Sequence, residues 1–163
     1  MTARTPRHTG VIPPVVTPLT ADGELDLPSL ERVVAHLIDG GVTGLFALGS
    51  SGETAYLTPG QQDRVIEAVT AAAGGQVPVL VGAIETTTNR AVERARRAAE
   101  LGADAVVVTA PFYTRTHATE IDRHFRDIAA ALDLPGTLTP AGGSGALVVF
   151  AHGSGSSRHS PRN

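Results

Sequence analysis

Two adjacent serines, Ser50 and Ser51, lie where an apolar run of the chain ends. The run 44–48 stops at a glycine, and a second glycine and Glu53 follow the serines. A strand that ends in such a turn leaves backbone N–H groups free beside two hydroxyls, and this arrangement binds small anions. The pattern predicts a carboxylate site, with Glu53 in a structural role. The alternative is an ordinary turn in which the hydroxyls satisfy nearby backbone groups.

The absence of one residue type is equally informative about chemistry. The chain has 13 arginines and no lysine, and a guanidinium stays protonated near neutral pH and is a poor nucleophile. No side chain can therefore form an imine with a ketone. There is no cysteine, and the six histidines show no spacing typical of metal ligands. We expect no metal and no cofactor.

Charge and hydropathy argue against two classes of partner. The net charge is −3 without an evident basic face, which gives no support to nucleic-acid binding. The longest apolar runs are far shorter than a bilayer span, so we expect no membrane segment. Residues 1–10 lack the apolar core of a signal peptide. We expect a cytoplasmic protein that forms one domain or part of a larger one.

Short apolar runs alternate along the chain with amphipathic helical segments. The runs start about 30 residues apart, which is the size of one strand-plus-helix unit. Turn and capping residues separate the helices, as in the capping box that Thr58 begins. The predicted strands are Val11–Val16, Gly44–Leu48, Pro78–Ala83 and Ala105–Thr109. The predicted helices cover about Leu27–Ile38, Thr58–Ala73, Asn89–Leu101 and Thr119–Leu132.

Four successive strand–helix units predict an α/β fold with a parallel sheet. Two architectures remain open on this ground: an open doubly wound sheet, or half of a (β/α)8 barrel. In both, the loops at the carboxyl ends of the strands lie on one edge. The serine turn and the segment 109–113 would then meet there. We expect His36 and His124 to be surface or boundary residues, and the arginines of the last two helices to lie on solvated faces (Arg94, Arg96, Arg97, Arg123 and Arg126).

Several motifs in this order resemble the dihydrodipicolinate synthase / N-acetylneuraminate lyase family of pyruvate-dependent class I aldolases. The resemblance covers about Gly10–Pro135 and includes the helices between the motifs. The motifs that carry it are Val16–Leu19, Gly49–Glu53, Pro78–Gly82 and Ala110–Tyr113.

The resemblance implies a (β/α)8 barrel, of which the matching residues form about four units, and a homotetramer. It implies that Ser51, with Ser50 beside it, binds the carboxylate of pyruvate or a similar 2-oxo acid. It also implies a catalytic role for Tyr113 in a proton relay that in some members reaches a neighbouring subunit's site. Synthases of the family often have threonines at the two serine positions, so the exact substrate stays open.

The family's Schiff-base lysine, on the sixth strand, has no counterpart here. Its fifth-strand tyrosine is also missing, because no tyrosine follows Tyr113. The sequence is therefore interpreted as a lyase or aldolase chain truncated before its catalytic lysine and inactive alone. The alternative is a non-catalytic half-barrel that binds carboxylates or associates through exposed edges.

Composition changes at Pro135. We interpret residues 1–9 as a disordered tail, 10–135 as the barrel half, and 136–163 as an unrelated Gly/Ser-rich tail with one strand. Within that tail, Ala146–Arg158 resembles the start of a dienelactone-hydrolase-type α/β hydrolase, without the nucleophile elbow or the later acid and histidine. A hydrolase fragment that uses Ser154 is a weaker alternative. A gene fusion, a deletion or an assembly error would each explain the junction.

Overall fold

A computed structural model describes residues 8–113 and 115–132 of the chain. The predicted tail, residues 136–163, lies outside them, as does Thr114. In chain order the elements are α1 (Leu27–Asp39), β1 (Leu45–Ala47), a 3-10 turn (Ser50–Gly52), α2 (Pro59–Ala73), β2 (Val79–Gly82), α3 (Thr88–Glu100), β3 (Ala105–Val107) and α4 (Ala118–Ala131). The four predicted helices and the last three predicted strands are confirmed within a few residues.

The three strands form a parallel sheet in the order β1-β2-β3. In the register, Leu45 pairs with Val79 and Val81 pairs with Val106. Each new strand is added on the same side, whereas a doubly wound sheet reverses its order at one point. The Val11–Val16 segment is also bridged to β1, so four segments lie in chain order, whereas the classic doubly wound order reverses after three strands. This agrees with a partial (β/α)8 barrel.

The first predicted strand, Val11–Val16, occupies its expected place but is not a regular strand. It runs parallel to β1 through one bridge, between Pro14 and Phe46. The Val15 N–H donates to the Phe46 carbonyl at 2.8 Å, and the Phe46 N–H donates to the Pro13 carbonyl at 3.0 Å. Two successive prolines lack N–H groups, so a continuous ladder cannot form. The prediction of a strand here is wrong in type and right in position.

Local signals set the ends of α2 as predicted. The Thr58 side chain accepts a hydrogen bond from the Gln61 N–H, and the Gln61 side chain accepts one from the Thr58 N–H. Pro59 takes the first helical position, and Gly74 ends the helix with φ 56°. These caps satisfy backbone groups that a helix end otherwise leaves unpaired.

The sheet separates two apolar layers. Side chains on its outer face pack against the helices and form the main core, whereas Leu80, Ala105 and Val107 form a second cluster with Ile12 and Phe46. Strand alternation explains the division, because successive side chains point to opposite faces. Among the described residues, no helix is long and apolar enough to cross a membrane.

Small side chains let α3 lie close to the sheet. Ala91, Ala95 and Ala98 are fully buried there, and Val92 is partly buried against the core. Ala99 is exposed, because the helical repeat places it on the opposite side of the helix.

Candidate functional site

The loops that follow the three strands share one edge of the sheet, because the strands are parallel. The serine turn begins three residues after β1 ends. The segment 109–113, which carries Tyr113, begins two residues after β3 ends. The structure therefore brings the predicted site residues to the same edge of the sheet. The serine turn lies at the β1 side of this edge, and Tyr113 lies at the β3 side.

The serine turn presents unused donors. Within it, the Gly52 N–H donates to the Gly49 carbonyl at 3.0 Å, and the Glu53 N–H donates to the Ser50 carbonyl at 3.1 Å. The N–H groups of Ser50 and Ser51 come first in the turn, where a helical turn leaves its donors unpaired. Neither these N–H groups nor the two hydroxyls bond to any residue that the structure describes, and both side chains are exposed.

A hydrogen bond from Thr17 connects the serine turn to the chain segment that follows Val11–Val16. The Thr17 hydroxyl donates to the Gly52 carbonyl at 2.8 Å, and the Thr17 side chain is buried. Gly52 itself lies so close to Val11–Val16 that an added Cβ would be 3.0 Å from the Val15 carbonyl oxygen. The turn therefore has a fixed position relative to the segment that precedes α1.

We expect Thr17→Val to destabilise the chain by about 1–2 kcal/mol, because it leaves the buried Gly52 carbonyl without a donor. Urea denaturation measures the change. Thr17→Ser is the matched control, since it keeps the hydroxyl. A loss in Thr17→Val no larger than that in Thr17→Ser would show that the hydrogen bond does not hold the turn.

A close backbone contact sets the direction in which the turn leaves β1. Leu48, fully buried, has φ 55°, a left-handed conformation that costs a non-glycine residue about 1–2 kcal/mol. Its carbonyl oxygen would lie 2.1 Å from a Cβ added to Gly82 at the end of β2. Only glycine fits there. Gly82 belongs to the motif Pro78–Gly82, but the sequence gives no signal for this contact, because it joins residues far apart in the chain.

Tyr113 has a left-handed backbone conformation and a highly exposed side chain. Its φ is 74°, and its side chain is 97 % exposed. No described residue donates to or accepts from its hydroxyl. Its catalytic role therefore stays a prediction. Glu53 is exposed as well, at the left-handed end of the serine turn.

His124 on α4 is buried, whereas a surface or boundary position was expected. It is 2 % exposed, with its Nδ1 2.9 Å from the Thr88 hydroxyl and its Nε2 3.1 Å from the Thr109 carbonyl oxygen. A carbonyl only accepts, so Nε2 carries the proton and Nδ1 accepts from Thr88. Burial lowers the pKa of His124 and outweighs the opposing effects of Thr109 and Asp127. The imidazole is therefore neutral near pH 7.

The sequence contained a signal for this burial. Position 124 falls between Ile121 and Ile128 at helical spacing, so it belongs to the apolar stripe of α4. A polar residue on such a stripe needs partners from other elements, and only the tertiary structure identifies them.

Arg94 also departs from its expected solvated position. Its side chain is 11 % exposed, and its Nη1 lies 2.6 Å from the Asp63 carboxylate, which Arg97 also contacts at 2.9 Å. Burial raises the pKa of Asp63, but hydrogen bonds from Arg97 and Arg94 more than offset this and hold it below its ordinary value. These ion pairs join α2 to α3 and have no part in the serine turn.

Within residues 8–113 and 115–132, no group of three or more His, Cys, Asp and Glu side chains could hold a metal ion.

Comparison with known proteins gives a consistent set of relatives. Residues 7–139 match the model of the dihydrodipicolinate synthetase family. An uncharacterized DapA-like lyase from Halobacterium salinarum is 44% identical over 126 residues, which are 77% of this chain and 41% of that protein. A 4-hydroxy-tetrahydrodipicolinate synthase from Laribacter hongkongensis is 36% identical over 78% of this chain and 44% of its own length. The chain thus spans about two fifths of the length of these curated relatives.

Solved structures show the same partial coverage. YagE from E. coli K12 is a prophage protein of the dihydrodipicolinic acid synthase family, crystallised with pyruvate. It has a TM-score of 0.74 at 37% identity, and the match covers 78% of this chain and 43% of YagE. The chloride-inhibited dihydrodipicolinate synthase from Acinetobacter baumannii, also complexed with pyruvate, has a TM-score of 0.77 at 32% identity. The match covers 79% of this chain and 44% of that protein.

Proposed function

Because this chain belongs to the dihydrodipicolinate synthetase family, we propose that its serine turn is the carboxylate-binding part of a pyruvate-dependent lyase or aldolase. Ser51 supplies a hydroxyl and a backbone N–H to the carboxylate of pyruvate or a similar 2-oxo acid, with Ser50 beside it. The observation that carries this proposal is the set of unused donors at the end of β1. Two related structures with pyruvate bound support the choice of ligand.

The turn suits a carboxylate for a physical reason. A carboxylate has two acceptor oxygens and no donor, and here two adjacent N–H groups and two hydroxyls have no protein acceptor among the described residues. Hydrogen bonds to an ionised acceptor are stronger than those between neutral groups. The Thr17 bond and the Gly82 contact hold these donors in place before a ligand arrives.

Tyr113 has a proposed role in proton transfer within an assembly of subunits. Its left-handed backbone and exposed side chain support that role, since strained residues persist mainly where function requires them. A hydroxyl that no described residue contacts is free to reach a neighbouring subunit. Association into an oligomer, as the family resemblance implies, is part of this proposal.

The bond-making step requires a side-chain amine, and none of these 163 residues supplies one, since none is a lysine. We therefore propose that this chain alone binds the acid without activating its ketone. A non-catalytic, carboxylate-binding half-barrel follows from the same observations. The hydrolase hypothesis rests on Ser154, which lies outside the described residues. The lack of cysteine agrees with a cytoplasmic location, which we also propose.

Amide chemical shifts in an NMR titration with pyruvate test the proposal. We expect the Ser50 and Ser51 signals to move together and saturate, and the affinity to fall at least about tenfold in Ser51→Ala, because one charge-assisted hydrogen bond is lost. Thr119→Ala removes an exposed hydroxyl on α4 and serves as the matched control. Equal affinity in Ser51→Ala and Thr119→Ala, or shifts confined to other loops, would refute the assignment.

A further inference from the structure

A buried histidine lies at the base of the loop that carries Tyr113. His124 connects three elements: its own helix α4, the first turn of α3 through Thr88, and the end of β3 through Thr109. We propose that His124 is a positioning residue that fixes the Thr109 carbonyl and, through it, the backbone that presents Tyr113. The inference rests on the proposed role of Tyr113.

The bond to His124 is the last anchor before Tyr113. Along the segment 110–113, no hydrogen bond to a described residue is present. Ala110 packs against the core, and Pro111 restricts its own backbone rotation. Tyr113 follows Thr109 by four residues, so the orientation of the Thr109 peptide sets the path of a short, stiff segment.

The polarity of position 124 needs an explanation beyond packing. An aliphatic side chain on this apolar stripe would bury without the desolvation cost that a 2 % exposed imidazole bears. Both ring nitrogens instead have partners from other elements, at 2.9 and 3.1 Å. Such directional bonds specify one arrangement of α3, α4 and the end of β3, which apolar contacts alone do not.

The wild-type chain provides the first measurement. Long-range ¹H–¹⁵N spectra of the imidazoles identify the tautomer of His124, and we expect the proton on Nε2, where it donates to Thr109. A proton on Nδ1 instead would overturn the proposal without any variant.

Backbone ¹⁵N relaxation of the Phe112 and Tyr113 amides then tests the effect on the loop. We expect order parameters near those of the rigid backbone in the wild type, and below about 0.6 in His124→Leu. His124→Gln keeps an amide donor near the Nε2 position, and we expect it to restore the wild-type values. If His124→Leu does not fold, His124→Asn replaces it, since its shorter amide cannot reach Thr109.

A control on the same helix separates positioning from general stability. Ile128→Val removes one methyl group from a fully buried side chain and leaves the His124 bonds in place. We expect the Tyr113 order parameters to stay unchanged in this variant. Equal loosening in Ile128→Val and His124→Leu, or none in His124→Leu, contradicts the proposal. Pyruvate is absent throughout, so this outcome is independent of the test of the serine turn.

Discussion

We expect the purified 163-residue chain to form no reduced adduct on any side chain when it is incubated with pyruvate and borohydride. Borohydride traps an imine between a ketone and a primary amine, and none of the side chains carries such an amine, because all 13 Lys and Arg positions are arginine. The reaction that the family resemblance implies passes through this imine. Intact-mass spectrometry before and after reduction measures the adduct.

The α-amine of Met1 is the one other group that could react. Acetylation of the N-terminus removes it, and a lysine-containing relative treated in the same way provides the positive control. A stoichiometric adduct that survives acetylation would disprove the prediction. Turnover of an aldol substrate by the isolated chain would disprove it as well.

The second prediction concerns the contact between β1 and β2. We expect Gly82→Ala to destabilise the chain by at least about 3 kcal/mol, because the new methyl group would lie 2.1 Å from the Leu48 carbonyl oxygen. That oxygen belongs to backbone and cannot rotate away as a side chain does. Chemical denaturation followed by circular dichroism measures the loss.

Gly60→Ala is the matched control for this substitution. Gly60 lies in the first turn of α2, and an added Cβ meets no atom within 4 Å. We expect it to stabilise the chain by up to about 1 kcal/mol, because alanine has the higher helix propensity. If Gly82→Ala folds with near wild-type stability, the β1–β2 contact does not constrain the turn.

The same contact links stability to the proposed site. A Gly82→Ala chain that folds must move the Leu48 carbonyl, and with it the start of the serine turn. We therefore expect any folded variant to bind pyruvate more weakly than Gly60→Ala does, as the Ser50 and Ser51 amide shifts would report.

The sequence by itself determined most of the helices and strands and the family, because these depend on interactions between residues close in the chain. The capping box at Thr58, the apolar periodicity of the helices and the spacing of the strands depend on residues close in the chain, and the structure confirms them. The serine turn was likewise recognisable, because an apolar run followed by Gly-Ser-Ser-Gly is a local pattern.

Tertiary structure decided the features that depend on distant residues. The order of four segments in space, three strands and the bridged Val11–Val16 segment, favoured a barrel over a doubly wound sheet. Partners from other elements explain why His124 is buried and Arg94 is largely covered. The left-handed Leu48 exists only because Gly82, on the next strand, leaves room for its carbonyl. A sequence pattern reports which residues are neighbours along the chain, whereas these positions are set by neighbours in space.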